Sequence, residues 1–200
     1  MILNPSELTN RATYQLLIAA LVPRPIAWVS TVSSAGLHNL APFSFFAGVS
    51  AVPLTLMISV GRRKGQRKDT ANNLLEQPEC VVHIPNRALA ELMVASSAEV
   101  EDSVDEFELT GLAHVASEIV VARRIPEAPV AFECQVSKHV ELGANDVFFL
   151  QALRVHLHDA VLAPDGLPDA TKLSAVGRLG RNEYCVADQV FRIDRPGVRE

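Results

Sequence analysis

The chain has 200 residues, 48% of them hydrophobic, and 23 acidic side chains against 18 basic ones give it a formal net charge of −5. That length and apolar content suffice for one domain with a sizeable core, while the acidic balance argues against a general nucleic-acid binder, which spreads Lys and Arg over a whole face. No apolar run approaches the roughly 20 residues of a membrane span, the start "MILNPSELTNRATYQLL" lacks the regions of a signal peptide, and three widely spaced cysteines read as buried free thiols in a reducing compartment, so the expected address is the cytoplasm.

The first strands are "IAWVSTVS" (26–33) and "LTLMISV" (54–60), short β-branched runs bounded by Pro, Gly and Ser. Between them Ala35-Gly36 suggests a turn and "LHNLAPFSFF" a returning strand broken at Pro42, which cannot donate to a ladder and belongs at an edge or bulge. "DTANNLLEQ" opens with Asp69 and Thr70, both good N-caps, and stops at Pro78, predicting a helix of about two turns. "CVVHI" reads as a strand and "NRALAELMVASS" as a second helix. "AEVEDSVDEFELTGL" is acidic and reads as a loop with one helical turn, its charges on a solvated face.

From residue 130 onward the period is two. Phe132, Cys134, Val136, Val140 and Leu142 share the inward parity, with Glu133, Gln135, Ser137, His139 and Glu141 outward. "FFLQALRVHLHDAVL" repeats the pattern, with Leu153, Val155 and Leu157 inward and Arg154, His156 and His158 outward, and "GAND" between them reads as the turn of a long hairpin. Many strands with few, unevenly placed helices predict a mainly β protein, a barrel with attached helices rather than an alternating α/β sheet.

The stretch "GRRKGQRK" (61–68) packs five of the eighteen basic residues into eight positions. The first amides of the helix that follows lack intrahelical partners and carry the positive end of its dipole, so with Arg67, Lys68 and Thr70 they could hold one phosphate. An exposed loop leading to a capped helix fits the local sequence equally well. Other chemistries fail on spacing: the chain has no phosphate loop of the G-x-x-x-x-G-K-[ST] type, no Rossmann glycines, no nucleophile elbow and no H-E-x-x-H helix. His156 and His158 share a strand face but lack a third ligand nearby. Cys80 and His83 point to opposite faces of their strand.

Five stretches in order, "VPRPIAWVST" (22–31), "HNLAPFSFF" (38–46), "RKDTANNL" (67–74), "DEFELTGL" (105–112) and "GRLGRNEY" (177–184), closely resemble the flavin reductase-like family of FMN-binding split barrels, which includes flavoredoxins. The resemblance covers nearly the whole chain. It implies a Greek-key-like split barrel of one domain that dimerises with FMN at the subunit interface. Ser30, Thr31 and the segment Asn39, Leu40, Ala41, Pro42, Phe43, Ser44 match the family's flavin-ring and ribityl contacts. Arg67, Lys68, Asp69 and Thr70 match its phosphate element, with Lys68 and Thr70 as ligands and Asp69 ordering the helix start, and Arg24 and Tyr184 are carried over with them.

The implied activity is an oxidoreductase that takes hydride from NAD(P)H into the flavin and passes electrons to an oxygenase or other acceptor, with no single side chain marked as catalytic. A flavoredoxin-type electron carrier reduced by a protein partner, and a non-catalytic FMN-binding protein, are the other readings. A related branch of reductases carries Gly-Asp-His where this chain has Ala144-Asn145-Asp146. The substitution places a carboxylate where relatives help receive the nicotinamide, which predicts slow direct reduction. Arg181 also stands where many relatives have glycine.

Overall fold

A computed structural model of the protein describes residues 1–193 and 196. Seven strands form one antiparallel sheet: β2 (Ala27–Val32), β3 (His38–Phe43), β4 (Phe46–Ala51), β5 (Leu54–Gly61), β6 (Glu79–Ile84), β7 (Val130–Leu142) and β8 (Asn145–Leu157), in the order β3-β2-β6-β7-β8-β5-β4. Each strand sends at least one residue to the same apolar cluster: Val29, Phe43, Phe46, Ile58, Val82, Cys134 and Phe148 in turn. A flat sheet could not bring side chains from both its edges together, so the sheet curls into a barrel. The helix α2 (Asp69–Glu76) packs against β2 and β3 and adds Ala71 and Leu74 to that core.

The outer face is covered as well. Ile26, Trp28 and Leu40 meet Leu89, Met93 of α3 (Ala90–Ala95), Phe107 of α4 (Glu106–Thr110) and Ile125. The Trp28 indole N–H donates to Ser96 Oγ at 2.9 Å, which satisfies the one polar atom of an otherwise apolar payload. Burial on both faces explains why β2 is buried at every position, its polar Ser30 and Thr31 each making a hydrogen bond. A separate three-stranded sheet joins β1 (Arg24–Pro25), β9 (Val176–Arg178) and β10 (Tyr184–Val186).

Several expectations change against this frame. The helix α1 (Asn10–Ala20), capped by Thr9, and the strand β4 were not anticipated. β3 is not broken at Pro42: it runs through it, with Pro42 opposite Trp28. Proline is tolerated there because β3 is the edge of the sheet. The second helix is a single 3-10 turn, Arg87–Leu89, leading into the short α3, and Cys185 is half-buried while Cys80 and Cys134 are buried.

The long hairpin of β7 and β8 forms, but two bulges shift its parity. Register passes from Val136 to Lys138, so Ser137 is the extra residue. Beyond it His139 lies opposite Phe148 on the core side, while Val140 and Leu142 turn outward. A second bulge falls at Leu153. Phe148 and Leu150, ahead of it, fill the core, whereas Leu153, Val155 and Leu157, expected inward, stay about 40% exposed where the hairpin runs past the core cluster. Glu133, expected in solvent, is fully buried. The amides of Glu118, Ile119 and Val120 donate to its carboxylate, and His156 lies 2.7 Å from it.

Candidate functional site

The basic segment 62–68 links β5 to α2 and is tied down mainly by carboxylates. Arg62 and Arg67 each direct Nε at Asp146, at 3.4 and 3.1 Å, and each also pairs with Glu141. His139 Nε2 lies 2.9 Å from the same Asp146 carboxylate, and its ring stacks on Phe148. Burial pushes the Asp146 carboxyl up, but hydrogen bonds from His139, Arg67 and Arg62 outweigh it and hold the group below the usual aspartate value. Its side chain has no exposed surface where the two guanidiniums and the His139 ring meet it. The expectation that Asp146 offers a free negative charge to an incoming nicotinamide therefore does not hold. Arg63 pairs with Glu99 across the pocket mouth.

Of the five clustered cations, that leaves Lys64 and Lys68 without an ion-pair partner among the described residues. Lys64 takes a positive φ in the turn before Gly65. Lys68 carries its ammonium 5.7 Å from the centre of the Phe43 ring. Protein atoms around that end of the side chain, and Arg63 nearby, lower its pKa, although much of the residue's surface is exposed. A part-desolvated, unpaired ammonium is a group that gains by meeting an anion.

Lys68 is also the N-cap of α2, with no side-chain capping bond. The anticipated caps serve otherwise. Asp69 falls in the first turn, its carboxyl raised by burial and by Asp102. Thr70 donates its hydroxyl to Asn39 Oδ1 at 3.2 Å. The amides of Ala71 and Asn72 reach the Lys68 carbonyl, while those of Asp69 and Thr70 make no hydrogen bond among the described residues. Two free amides and an ammonium thus lie at one end of a pocket of about 380 Å³.

Asn39, Ala41, Pro42, Arg67, Lys68, Asp69 and Thr70 all line this pocket, so half of the fourteen residues picked from the sequence meet there. Its wall from β3 is an edge of the sheet, where the Leu40 amide meets Glu106 instead of another strand. Phe43 and Leu40 flank it from inside, one in the barrel core and one in the outer cluster. Thr31 supports it indirectly, accepting from the Asn73 amide of α2 at 3.0 Å.

Four others lie outside. Ser30 donates to the Arg123 carbonyl. Ser44 accepts from Arg24, whose guanidinium also holds the Ile18 and Leu21 carbonyls at the end of α1 and the Leu179 carbonyl. Tyr184 lies under the Arg178 guanidinium in the small sheet.

Glu106 belongs to the pocket and sequence reading passed over it. Sitting in an acidic run it looked solvated, yet it is 94% buried, its Oε2 accepting from Leu40 N at 2.8 Å and from Asn39 Nδ2 at 3.4 Å. Only the apolar spacing of Phe107 and Leu112 around it hinted that this turn faces inward. Arg181 has φ of 53°, the left-handed region where glycine is at ease, which accounts for glycine at that place in relatives.

Known proteins share this fold. A protein of nitrilotriacetate monooxygenase, component B from Bacillus cereus, superposes with a TM-score of 0.93 at 31% identity, covering 96% of this chain and 98% of that one. The 2-nitrobenzoate 2-nitroreductase of Pseudomonas fluorescens gives 0.90 at 27% identity, over 100% of this chain and 98% of the other. An uncharacterized protein of Aquifex aeolicus (strain VF5) is 41% identical over 182 residues, 90% of this chain and 93% of its own. The curled sheet is thus a split barrel of the flavin reductase type. With the flavin reductase like domain matched over residues 19–171, the chain belongs to the flavin reductase-like family.

Proposed function

We propose that the protein is a cytoplasmic, homodimeric FMN-binding oxidoreductase that accepts hydride from NAD(P)H and passes electrons to an oxygenase or another acceptor. The observation that carries the reading is the uncapped start of α2, where the free Asp69 and Thr70 amides and the Lys68 ammonium face one pocket. That donor set fits a phosphate monoester. Ala41 and Pro42 on the edge strand β3 would hold the polar rim of the flavin ring, with Phe43 packed in the core behind them. Bound FMN would supply the hydride and electron chemistry. The chain's own part is to hold the phosphate, orient the ring and keep the basic loop in place through Asp146. Component B of a monooxygenase among its relatives favours an oxygenase as acceptor.

A flavoredoxin-type carrier, reduced by a protein partner, is the second reading. It is favoured by the turn Ala144-Asn145-Asp146, which lacks a histidine and whose Asp146 is committed to the loop. Anaerobic mixing of FMN-loaded protein with NADH or NADPH separates the two. Saturable bleaching of the flavin is expected of the reductase, and no bleaching over minutes overturns it in favour of the carrier.

A further inference from the structure

Glu106 is at least nine-tenths buried, and only one of its carboxylate oxygens is used. Oε2 takes the Leu40 amide and the Asn39 side chain. Oε1 receives no hydrogen bond and no ion pair from another residue among the described ones. Yet it is not among their fully enclosed unpartnered atoms, which are His38 Nδ1 and Arg124 Nε, and the residue lines both this pocket and a neighbouring one bounded by His38, Asn72 and Asp102. A carboxylate oxygen kept out of bulk water without a donor is costly unless a ligand provides one. Burial raises the carboxyl above the ordinary glutamate range, opposed by the Leu40 amide, with Asp69 and Asp105 adding to the rise.

The chain Thr70–Asn39–Glu106 fixes where such a donor must lie. Thr70 stands at the phosphate end, and Glu106 is two hydrogen bonds further along the wall. A second anion there is disfavoured by the carboxylate, and a cationic group would sit in the same pocket as Lys68 and Arg67. Neutral hydroxyls suit both constraints. Resting on the flavin reading above, we propose that Glu106 is a ligand-binding residue whose Oε1 accepts a hydrogen bond from a hydroxyl of the polyol chain joining the flavin ring to its phosphate.

The test uses two phosphate-free probes, riboflavin, which carries the polyol, and lumiflavin, which lacks it but keeps the same ring. Titrated by flavin fluorescence, the unmodified protein is expected to bind riboflavin about tenfold more tightly than lumiflavin. Glu106→Gln, whose carbonyl can still accept the Leu40 amide, is expected to lose most of that preference while lumiflavin affinity is unchanged. Equal affinities of the unmodified protein for the two probes overturn the inference without need of the variant. So does a Glu106→Gln protein that weakens both probes alike, since Glu106 would then be serving the ring or the fold. Failure of the unmodified protein to take up FMN at all overturns the flavin reading, and this inference with it.

Discussion

His83 shows how one buried side chain ties stability to pH. It has no exposed surface, its Nδ1–H donates to the Trp28 carbonyl at 2.9 Å, and the Ile125 amide donates to Nε2 at 3.0 Å. That pair of bonds requires the neutral ring. Burial lowers its pKa from 6.5 to about 4, with Arg124 and His156 adding to the fall and the Trp28 carbonyl opposing it. The unfolded chain therefore takes up a proton near pH 6.5 that the folded chain refuses until about pH 4. Its contribution is complete above pH 6.5 and is lost as pH falls toward 4, up to about 3 kcal/mol. Urea unfolding at pH 7 and at pH 4.5 should show a larger drop for the wild type than for His83→Gln; equal drops would contradict the assignment. Sequence placed His83 on the opposite strand face from Cys80, but its two backbone partners lie in segments far apart in the chain and were invisible there.

At the scale of elements, the strands were legible wherever an apolar run was bounded by Pro, Gly or Ser, as in β2, β5 and β6. The bulges at Ser137 and Leu153 were not, because register belongs to the pairing of two strands and leaves no local mark. That is why His139 was read outward and Val140 and Leu142 inward. The same limit hid the anchoring of the basic loop: Asp146 and Glu141 on the hairpin meet Arg62 and Arg67 some 80 positions away. Asp146→Asn is expected to lower stability by about 1–3 kcal/mol, since two guanidiniums would lose a shared charged acceptor, and to weaken FMN binding by loosening the segment that presents Lys68. Thermal melts with and without FMN check both effects. An unchanged melting midpoint for the variant would show that the network does not hold the loop.

For the whole molecule, the seven-stranded sheet leaves β3 and β4 as edges, and apolar side chains stand uncovered at Val49 and Leu54 on β4 and β5, at Val52 in the turn between them, and at Leu153, Val155 and Leu157 on the adjacent β8. Uncovered apolar surface beside unpaired strand edges favours association. Light scattering is expected to give a dimer, and a monomer that still binds FMN would contradict the proposed assembly. Barrel, hairpin and family were readable because they rest on long-range pattern and on motifs in fixed order. Glu106 and the cover over Asp146 were not, because the burial of a charged side chain depends on what folds over it. The central claim is that the start of α2 with Lys68 holds a phosphate, and it is tested most directly by titrating FMN and riboflavin into the wild type and Lys68→Ala. The account predicts that the wild type prefers FMN and that the substitution weakens FMN by about 1.5–3 kcal/mol, ten- to a hundredfold, while leaving riboflavin affinity as it was. Equal affinity of the wild type for the two flavins, or an FMN affinity indifferent to Lys68, would contradict it.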